Sequence, residues 1–334
     1  MKAMILTAGK GTRLLPLTRK LPKPLFPVGD RPLLLYLFDL LKEYGIKEVV
    51  LNLHHLGGRI EKEIGDGRNF GIRVTYSPEE KLLGTGGGLK RASSIWGEED
   101  ILVINGDNLL ELNLEKLIQF HRATQAVATM ALRPRKSSDD YTPIYLDENS
   151  LLRTIGGGAP GPSFVFLGAQ ILSPQFIQLL PRRSPASLLD GYKAALRGAR
   201  PVAGLISTGY WKEISTLELY REANLDFLRG KSPSYFYRGR EEFTRRGIHA
   251  GKNNRLGPRI SFYYPVYLGD NCRIGGGSVF GPSVLIGSGC TVGENCRLEN
   301  VFIWPGSKVR KGSTLQNLVL TPYGRVISSS SSSK

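Results

Sequence analysis

Two cations, Arg13 and Lys23, flank a proline-punctuated segment that follows a glycine turn, Ala8-Gly9-Lys10-Gly11-Thr12. Ahead of the turn runs a short apolar stretch, Met4-Ile5-Leu6, with the character of a buried strand. Where a strand opens into glycines, bare backbone N–H groups can converge on an anion while nearby cations neutralise it. The chemistry this pattern suits is the handling of phosphate. Two familiar phosphate loops do not fit. The Walker pattern requires Ser or Thr directly after its Lys, and Lys10 is followed by Gly11. The dinucleotide fingerprint requires a third glycine, and Leu14 holds that place.

A carboxylate suited to a divalent cation stands further along. Ile101-Leu102-Val103-Ile104-Asn105 reads as a buried strand, and Gly106-Asp107 follows it directly. Open α/β sheets bind ligands at the carboxyl ends of their strands, which is where Asp107 falls. Mg²⁺ takes a few hard oxygen ligands together with phosphates.

The stretch Gly9-Lys10-Gly11-Thr12-Arg13-Leu14, with Pro16-Leu17-Thr18 and Pro22-Lys23-Pro24-Leu25, resembles the signature of the nucleoside-triphosphate:sugar-1-phosphate nucleotidyltransferases, or nucleotide-sugar pyrophosphorylases. The resemblance looks closest to mannose-1-phosphate guanylyltransferases and related bacterial enzymes for glucose, heptose or muramic acid 1-phosphates. It implies a Mg²⁺-assisted, in-line attack of a sugar 1-phosphate on the α-phosphorus of a nucleoside triphosphate, giving a nucleotide-sugar and pyrophosphate. GTP and mannose 1-phosphate, or a related hexose or heptose phosphate, are the first expectation. Carried onto this chain, Arg13 and Lys23 are catalytic, and Ala8, Gly9, Gly11 and Thr12 hold the triphosphate. Gly84, Thr85 and Gly86, in a segment like the family's L-G-T-[AG]-G-[AG], contact nucleotide, with Glu80 as a base contact. Gly168 matches a sugar-pocket glycine, and Asp107 and Glu213 are the metal carboxylates. Glu213 stands in Gly209-Tyr210-Trp211-Lys212-Glu213, where the family usually carries Asp, and the family's Glu-Lys-Pro sugar-phosphate segment is missing. Those two departures raise an alternative, a nucleotide-sugar-binding regulatory paralogue with weak or no turnover.

Elements able to position these groups are legible in the pattern. Strands are expected at 3–7, 47–53, 72–76, 101–105 and 127–132, alternating with helices at 32–44, 57–64, 87–96 and 113–124. That alternation argues for an α/β fold with a mostly parallel, Rossmann-like sheet. Strands near 164–171 and 201–206, with helices near 173–180, 186–197 and 216–229, are expected to form a second lobe. From residue 266 a six-residue period takes over: Leu268, Ile274, Phe280, Ile286, Val292 and Leu298. Gly269, Gly275, Gly281, Gly287 and Gly293 follow the first five, and Cys272, Ser278, Val284, Cys290 and Cys296 stand two positions before an apolar residue. The period resembles the hexapeptide repeat of left-handed parallel β-helices, with the aliphatic residue inward and glycine turning the corner. The cysteines are then small wall fillers. The expected domains are 1–230 catalytic, 231–261 basic linker, 262–320 β-helix and 321–334 tail, disordered at the serine run.

An apolar fraction of 41% and a charged fraction of 22% fit a soluble globular protein. No apolar run is long enough to span a bilayer, and a cytoplasmic location is expected by elimination. The formal charge of +16 raises nucleic-acid binding. Basic residues thicken between Arg229 and Arg259, interleaved with Tyr235, Phe236, Tyr237 and Phe243, but no nucleic-acid module is recognisable there. A basic surface on an enzyme of polyanionic substrates is the simpler account. An acyltransferase coil would need a histidine base, and His54, His55, His121 and His249 all precede the repeats. The coil is expected to mediate a homo-oligomer.

Overall fold

The computed structural model describes residues 1–237 and 248–327. Arg238, Arg240, Arg245 and Arg246 of the basic stretch, and the terminal serine run, lie outside the described residues. The chain divides into two compact units: Met1–Lys10, Pro22–Pro24 and Leu37–Trp211 form one, and Gly11–Leu21, Leu25–Tyr36 and Lys212–Lys334 the other.

The first unit is built on a nine-stranded sheet. Its strands are β1 (Lys2–Leu6), β2 (Glu48–Leu53), β3 (Arg73–Pro78), β4 (Ile101–Asn105), β5 (Ala128–Pro134), β6 (Ile144–Leu146), β7 (Leu152–Ile155), β8 (Ser163–Leu172) and β9 (Val202–Ile206). The main path runs β7-β6-β8-β4-β1-β2-β3, with β5 paired to β8 and β9 to β5. β1 lies parallel to both β2 and β4, in register Met4↔Val50 and Met4↔Val103. These strands are apolar along their length because helices connect them and cover the sheet. The helices are α1 (Leu33–Glu43), α2 (Gly57–Ile64), α3 (Gly84–Ala92), α4 (Leu114–Thr124), α5 (Pro174–Leu179) and α6 (Leu188–Arg197). Met4, Val50, Val103 and Met130 of the sheet share one core cluster with Leu89 of α3, Phe176 of α5 and Ala195 of α6.

Residues 163–206 do not form the separate lobe that the sequence suggested. β8 runs antiparallel to β4 and β5, and β9 runs parallel to β5, so all join the same sheet. The sheet is therefore mixed, with its parallel strands on the N-terminal side. The cause is in the sequence: β8 (SFVFLGAQIL) is ten residues long and buried over its last six, so only an interior position satisfies it. No helix among the described residues is long and apolar enough to cross a membrane.

In the second unit, strands stack in coils. Val266 pairs with Val284, Arg273 with Thr291 and Val279 with Arg297, all parallel and eighteen residues apart, which is three hexapeptides per coil. Beyond Leu285 the spacing drops to seventeen, with Leu285↔Phe302 and Arg297↔Thr314, as the looser register of 299–320 foretold. Leu268, Ile274, Phe280, Ile286, Val292 and Leu298 are all buried in one cluster. The coil starts earlier than expected. Ile248–Ala250, Arg255–Leu256 and Ser261–Phe262 pair with the next coil, so residues 248–261 of the anticipated linker belong to its first turn. His249 consequently lies within a coil strand, where its ring stacks on Tyr267 at 4.7 Å. At the other end, Thr314–Thr321 turns back antiparallel onto Gly324–Ile327, so residues 321–327 of the expected tail close the last edge.

The corner glycines act differently from the sequence reading. Left-handed backbone falls mainly at Asn271, Gly277, Ser283, Gly289 and Asn295, three residues before an inward apolar residue; of the five expected corner glycines, only Gly281 (φ 105°) has a positive φ. Gly269, Gly275, Gly287 and Gly293 keep ordinary φ; a Cβ there would strike the backbone of the neighbouring coil, at 2.6 Å from Pro305 N in the case of Gly287. The cysteines are buried, and their thiols donate across coils, Cys272 Sγ to Gly287 O at 3.3 Å and Cys290 Sγ to Trp304 O at 3.2 Å. Burial pushes the Cys290 thiol up to about 12, so it stays protonated and unreactive. Helix α7 (Leu217–Leu228) belongs with this unit: Tyr220 donates to Pro27 O and receives the Trp304 indole N–H, and Asn224 Oδ1 accepts from Gly29 N.

Gly287→Ala should lower stability by about 1–3 kcal/mol, because the neighbouring coil must move to admit the methyl group. Gly306→Asn, at an open left-handed corner (φ 72°), should shift the urea midpoint little, since Asn tolerates that conformation. Equal losses for the two variants would contradict this division of glycine roles.

Candidate active site

A cavity of about 280 Å³ opens in the first unit at the carboxyl ends of β1, β2 and β4. Its walls come from Leu6–Gly9 after β1, Lys23-Pro24, Asn52 on β2, Glu79, Leu82, Gly84 and Thr85 at the start of α3, and Asn105–Asp107 after β4. A chain of hydrogen bonds fixes those loops to one another. Thr7 N donates to Asn52 Oδ1 at 2.8 Å, Asn52 Nδ2 to Glu79 Oε1 at 2.8 Å, and Leu83 N to Glu79 Oε2 at 2.9 Å. Lys23 and Asp107 meet across the cavity: Nζ lies 2.8 Å from Oδ2, with the two side chains only 14% and 24% exposed. Lys23 is presented by a short 3-10 turn, Lys23–Leu25.

Of the residues singled out by sequence, Ala8, Gly9, Lys23, Gly84, Thr85 and Asp107 line this cavity. Gly9 is unusual among them. Its φ is ordinary and a Cβ would meet no atom within 4 Å, so the fold itself does not demand glycine there. Gly84 and Gly86 have a structural reason. A Cβ on Gly84 would strike Ala186 O, and one on Gly86 would lie 2.8 Å from Ser187 O. The same segment is tied down by Gly86 N to Ala186 O and by Leu188 N to the Thr85 hydroxyl, both near 3 Å. Glu80 is exposed and does not line the cavity; its neighbour Glu79, 5% exposed, does. Glu79, Asn52 and Asn105 were missed by the sequence reading. Their signal was position, since each sits at or just beyond the carboxyl end of an expected strand.

Gly11, Thr12, Arg13 and Glu213 belong to the second unit. Gly11 takes the left-handed conformation (φ 61°), and its carbonyl accepts from Leu14 N and the Thr18 hydroxyl. The Arg13 guanidinium on that turn is 68% exposed, 3.7 Å from Glu213 Oε1. Exposed ion pairs of this kind are worth about 0–1 kcal/mol, so Arg13 is readily surrendered to a stronger anion. Asp107, already facing the cavity, suits a cation held jointly with phosphate oxygens, which needs only one or two carboxylates. Among the described residues no three acidic, His or Cys side chains gather into a ligand cluster.

Gly168 sits at an irregularity in β8 (φ 78°), where a side chain would strike Asn108. Beside it Leu167 O accepts from the Trp211 indole at 2.9 Å. Arg133 lies 4.9 Å from the Trp211 ring centre, and Tyr141 meets the ring edge-on. The sequence thus foresaw Gly168 and the Trp211 motif but not that Arg133 and Tyr141 join them. Arg133 also holds Asp139 with two 2.7 Å bonds, and this guanidinium keeps the carboxyl down at about 2. A carboxyl lowered on folding stabilises above its unfolded value near 4 and loses that contribution as pH falls toward 2. The stability gap between wild type and Asp139→Asn should therefore be full at pH 6 and shrink between about pH 4 and 2; thermal melts across that range read it, and a constant gap would refute the pairing.

Tyr235, Phe236 and Tyr237 are buried, with Phe236 stacked on Tyr36 at 4.1 Å and Tyr237 on Phe227 at 5.1 Å. They are core residues and present no ring to a base.

Comparison with known proteins agrees with this geometry. The Nucleotidyl transferase family matches residues 2–230, and the Bacterial transferase hexapeptide (six repeats) family matches residues 265–300. The chain is 29% identical to the UTP–glucose-1-phosphate uridylyltransferase of Synechocystis sp. over 97% of its own length and 88% of that protein. It is 26% identical to the mannose-1-phosphate guanylyltransferase of Mycobacterium tuberculosis, covering 94% and 82% respectively. It is 33% identical to the N-acetylmuramate alpha-1-phosphate uridylyltransferase of Neisseria meningitidis, covering 67% and 96%. The structure of HddC from Yersinia pseudotuberculosis shares the fold, with a TM-score of 0.59 at 23% identity over 68% of this chain and 99% of that one. A glycine turn, a cation–carboxylate pair at strand ends and a coil of hexapeptides thus have one common reading: the chain belongs to the nucleotidyl transferase family of enzymes and carries bacterial-transferase hexapeptide repeats.

Proposed function

We propose that this protein joins a nucleoside triphosphate to a sugar 1-phosphate, releasing pyrophosphate and a nucleotide-sugar. The observation that carries the reading is the contact of Lys23 with Asp107 inside a cavity floored by Gly9. No protein nucleophile is required; the sugar phosphate oxygen attacks the α-phosphorus and the pyrophosphate oxygen leaves in line. The protein's part is to align two polyanions and offset the charge that gathers at the α-phosphate. Backbone N–H groups from Ala8 to Thr12 hold the triphosphate, and Gly9 lets it approach the chain. Lys23 shifts from Asp107 to a phosphate oxygen as substrate enters, and Arg13 leaves Glu213 for the departing pyrophosphate. Asp107 would hold a Mg²⁺ ion, which when bound neutralises phosphate charge and polarises the α-phosphate. The relatives differ in both base and sugar, so GTP with mannose 1-phosphate or another hexose or heptose phosphate is a first choice within that class. The coil is assigned to self-association and the protein to the cytoplasm on the same reading.

Purified protein with Mg²⁺ and a panel of triphosphates and sugar 1-phosphates should release pyrophosphate from at least one pair. Lys23→Met and Arg13→Met should each lower turnover by about 10²–10³-fold. Asp107→Asn should make the metal requirement steeper. No pyrophosphate from any pair, with nucleotide-sugar still bound, would favour the regulatory paralogue that Glu213 suggests.

Gly9→Ala separates binding from folding. Its methyl group meets nothing in the free protein, so the melting temperature should stay unchanged while triphosphate affinity falls about tenfold or more. Retained affinity would remove the glycine turn from the site.

A further inference from the structure

The first turn of the coil, residues 248–265, differs in character from the turns that follow. Its strands pair with the next turn alone, so their other edge meets no strand among the described residues. Leu256 shows the consequence: it holds an inward position of the repeat, yet it is 48% exposed. Ile274 and Val292, which continue the same wall, are 4% and 2% exposed. Tyr263 and Tyr264, ahead of Val266, are 59% and 63% exposed. Neither tyrosine side chain has a hydrogen-bond or ring partner among the described residues.

Charge on this turn has one sign. No Asp or Glu occurs from Ile248 to Pro265. Lys252, Arg255 and Arg259 are all exposed, and none enters an ion pair among the described residues. Arg255 lies in register with Arg273 of the second turn, and like charges set opposite one another weaken strand pairing. The carboxylate of that second turn, Asp270, accepts from the Lys252 main-chain N–H at 2.7 Å. Arg259 takes left-handed backbone (φ 58°), which the other corners of the coil give to Asn, Gly or Ser. The fold alone does not account for these cations.

We propose that the open first turn is a docking surface for an anionic lipid bilayer, on which the protein lies without spanning it. Lys252, Arg255 and Arg259 meet the headgroup phosphates, while Leu256 and the two tyrosine rings enter the interfacial layer. Tyrosine suits that layer because its ring is apolar and its tip is wet. Charge complementarity selects this occupant. A second copy docked end to end would set the same cations against one another, with no carboxylate in either turn to offset them. A nucleic acid supplies phosphates but no apolar layer for Leu256. The contact is reversible, since a few cations and one aliphatic side chain fall well short of an anchor. It goes beyond the proposed reaction and does not depend on it.

The test is cosedimentation of the full chain with sucrose-loaded vesicles of phosphatidylcholine, alone or with about 30% phosphatidylglycerol. Wild type should pellet with the anionic vesicles and stay in solution with the neutral ones. Raising NaCl from about 0.05 M to about 0.5 M should weaken binding about tenfold or more. Arg259→Asn should weaken it about fivefold while the melting temperature holds or rises, because Asn tolerates the left-handed corner. Leu256→Ser should weaken it about tenfold and leave the salt dependence as it was. Lys193→Gln removes the same charge from an exposed position of α6 and should change nothing. No binding to anionic vesicles, or equal binding to neutral ones, would overturn the proposal. So would equal losses from Arg259→Asn and Lys193→Gln, because net charge alone would then explain the attraction. Single-stranded DNA that binds more tightly than the vesicles, and is lost in the same variants, would make a nucleic acid the occupant. A dimer in sedimentation velocity that Leu256→Ser dissociates would make it a second copy, and the lipid assignment fails. These readouts require no turnover, so failure of the proposed reaction leaves them intact.

Discussion

A half-buried ammonium and a half-buried carboxylate in contact, Lys23 with Asp107, organise the cavity. Each partner would be costly to leave alone in that setting, so the contact draws together segments 84 residues apart. It also explains why both groups can be poised for a charged ligand. The pair satisfies both groups, and on the proposed reading a phosphate and its cation would take over the two halves of the contact. The surrounding parts exist to keep this contact at the carboxyl ends of β1, β2 and β4. Thr7, Asn52 and Glu79 clamp the loops, and the parallel register of β1 aligns the strands from which those loops emerge.

The glycines show how one residue type answers several physical demands. Gly11 turns the chain through left-handed space, and Gly84 and Gly86 admit the backbone of residues 186–187. In the coil, Gly275 and Gly293 let successive turns approach, while Asn271 and Asn295 take the left-handed corners. Gly9, lining the cavity, has neither a positive φ nor a close neighbour to demand its missing side chain.

The coil binds into one body with parts that come early in the chain. Asp30 accepts from Ser288 N at 2.9 Å and from its hydroxyl, while Tyr220 and Trp304 meet the Phe26–Pro27 segment. The repeats therefore hold residues only a few positions from Lys23. Burial of three cysteines within such a wall removes them from redox or metal chemistry and leaves their thiols as weak cross-coil donors.

Sequence alone fixed what short-range physics controls. The alternation of apolar strands and amphipathic helices placed β1–β5 and α1–α4 within a few residues, with α2 at its full span, 57–64. The six-residue period identified the coil and its inward side chains, and the motif around the glycine turn identified the family. Tertiary structure decided whatever depends on partners distant in sequence. It made β8 and β9 members of one sheet rather than a lobe, because β8 finds hydrogen-bonding partners on both edges in β4 and β5, and β9 pairs with β5, all distant in sequence. It chose Glu79 over Glu80, because just past β3 the Glu79 carboxylate turns inward to Asn52 Nδ2 and Leu83 N while Glu80 stays exposed. It began the coil at Ile248, before the period becomes visible, because the first turn needs an apolar face toward one neighbour only. A local pattern can specify what an element is; which surface it meets is a property of the whole chain.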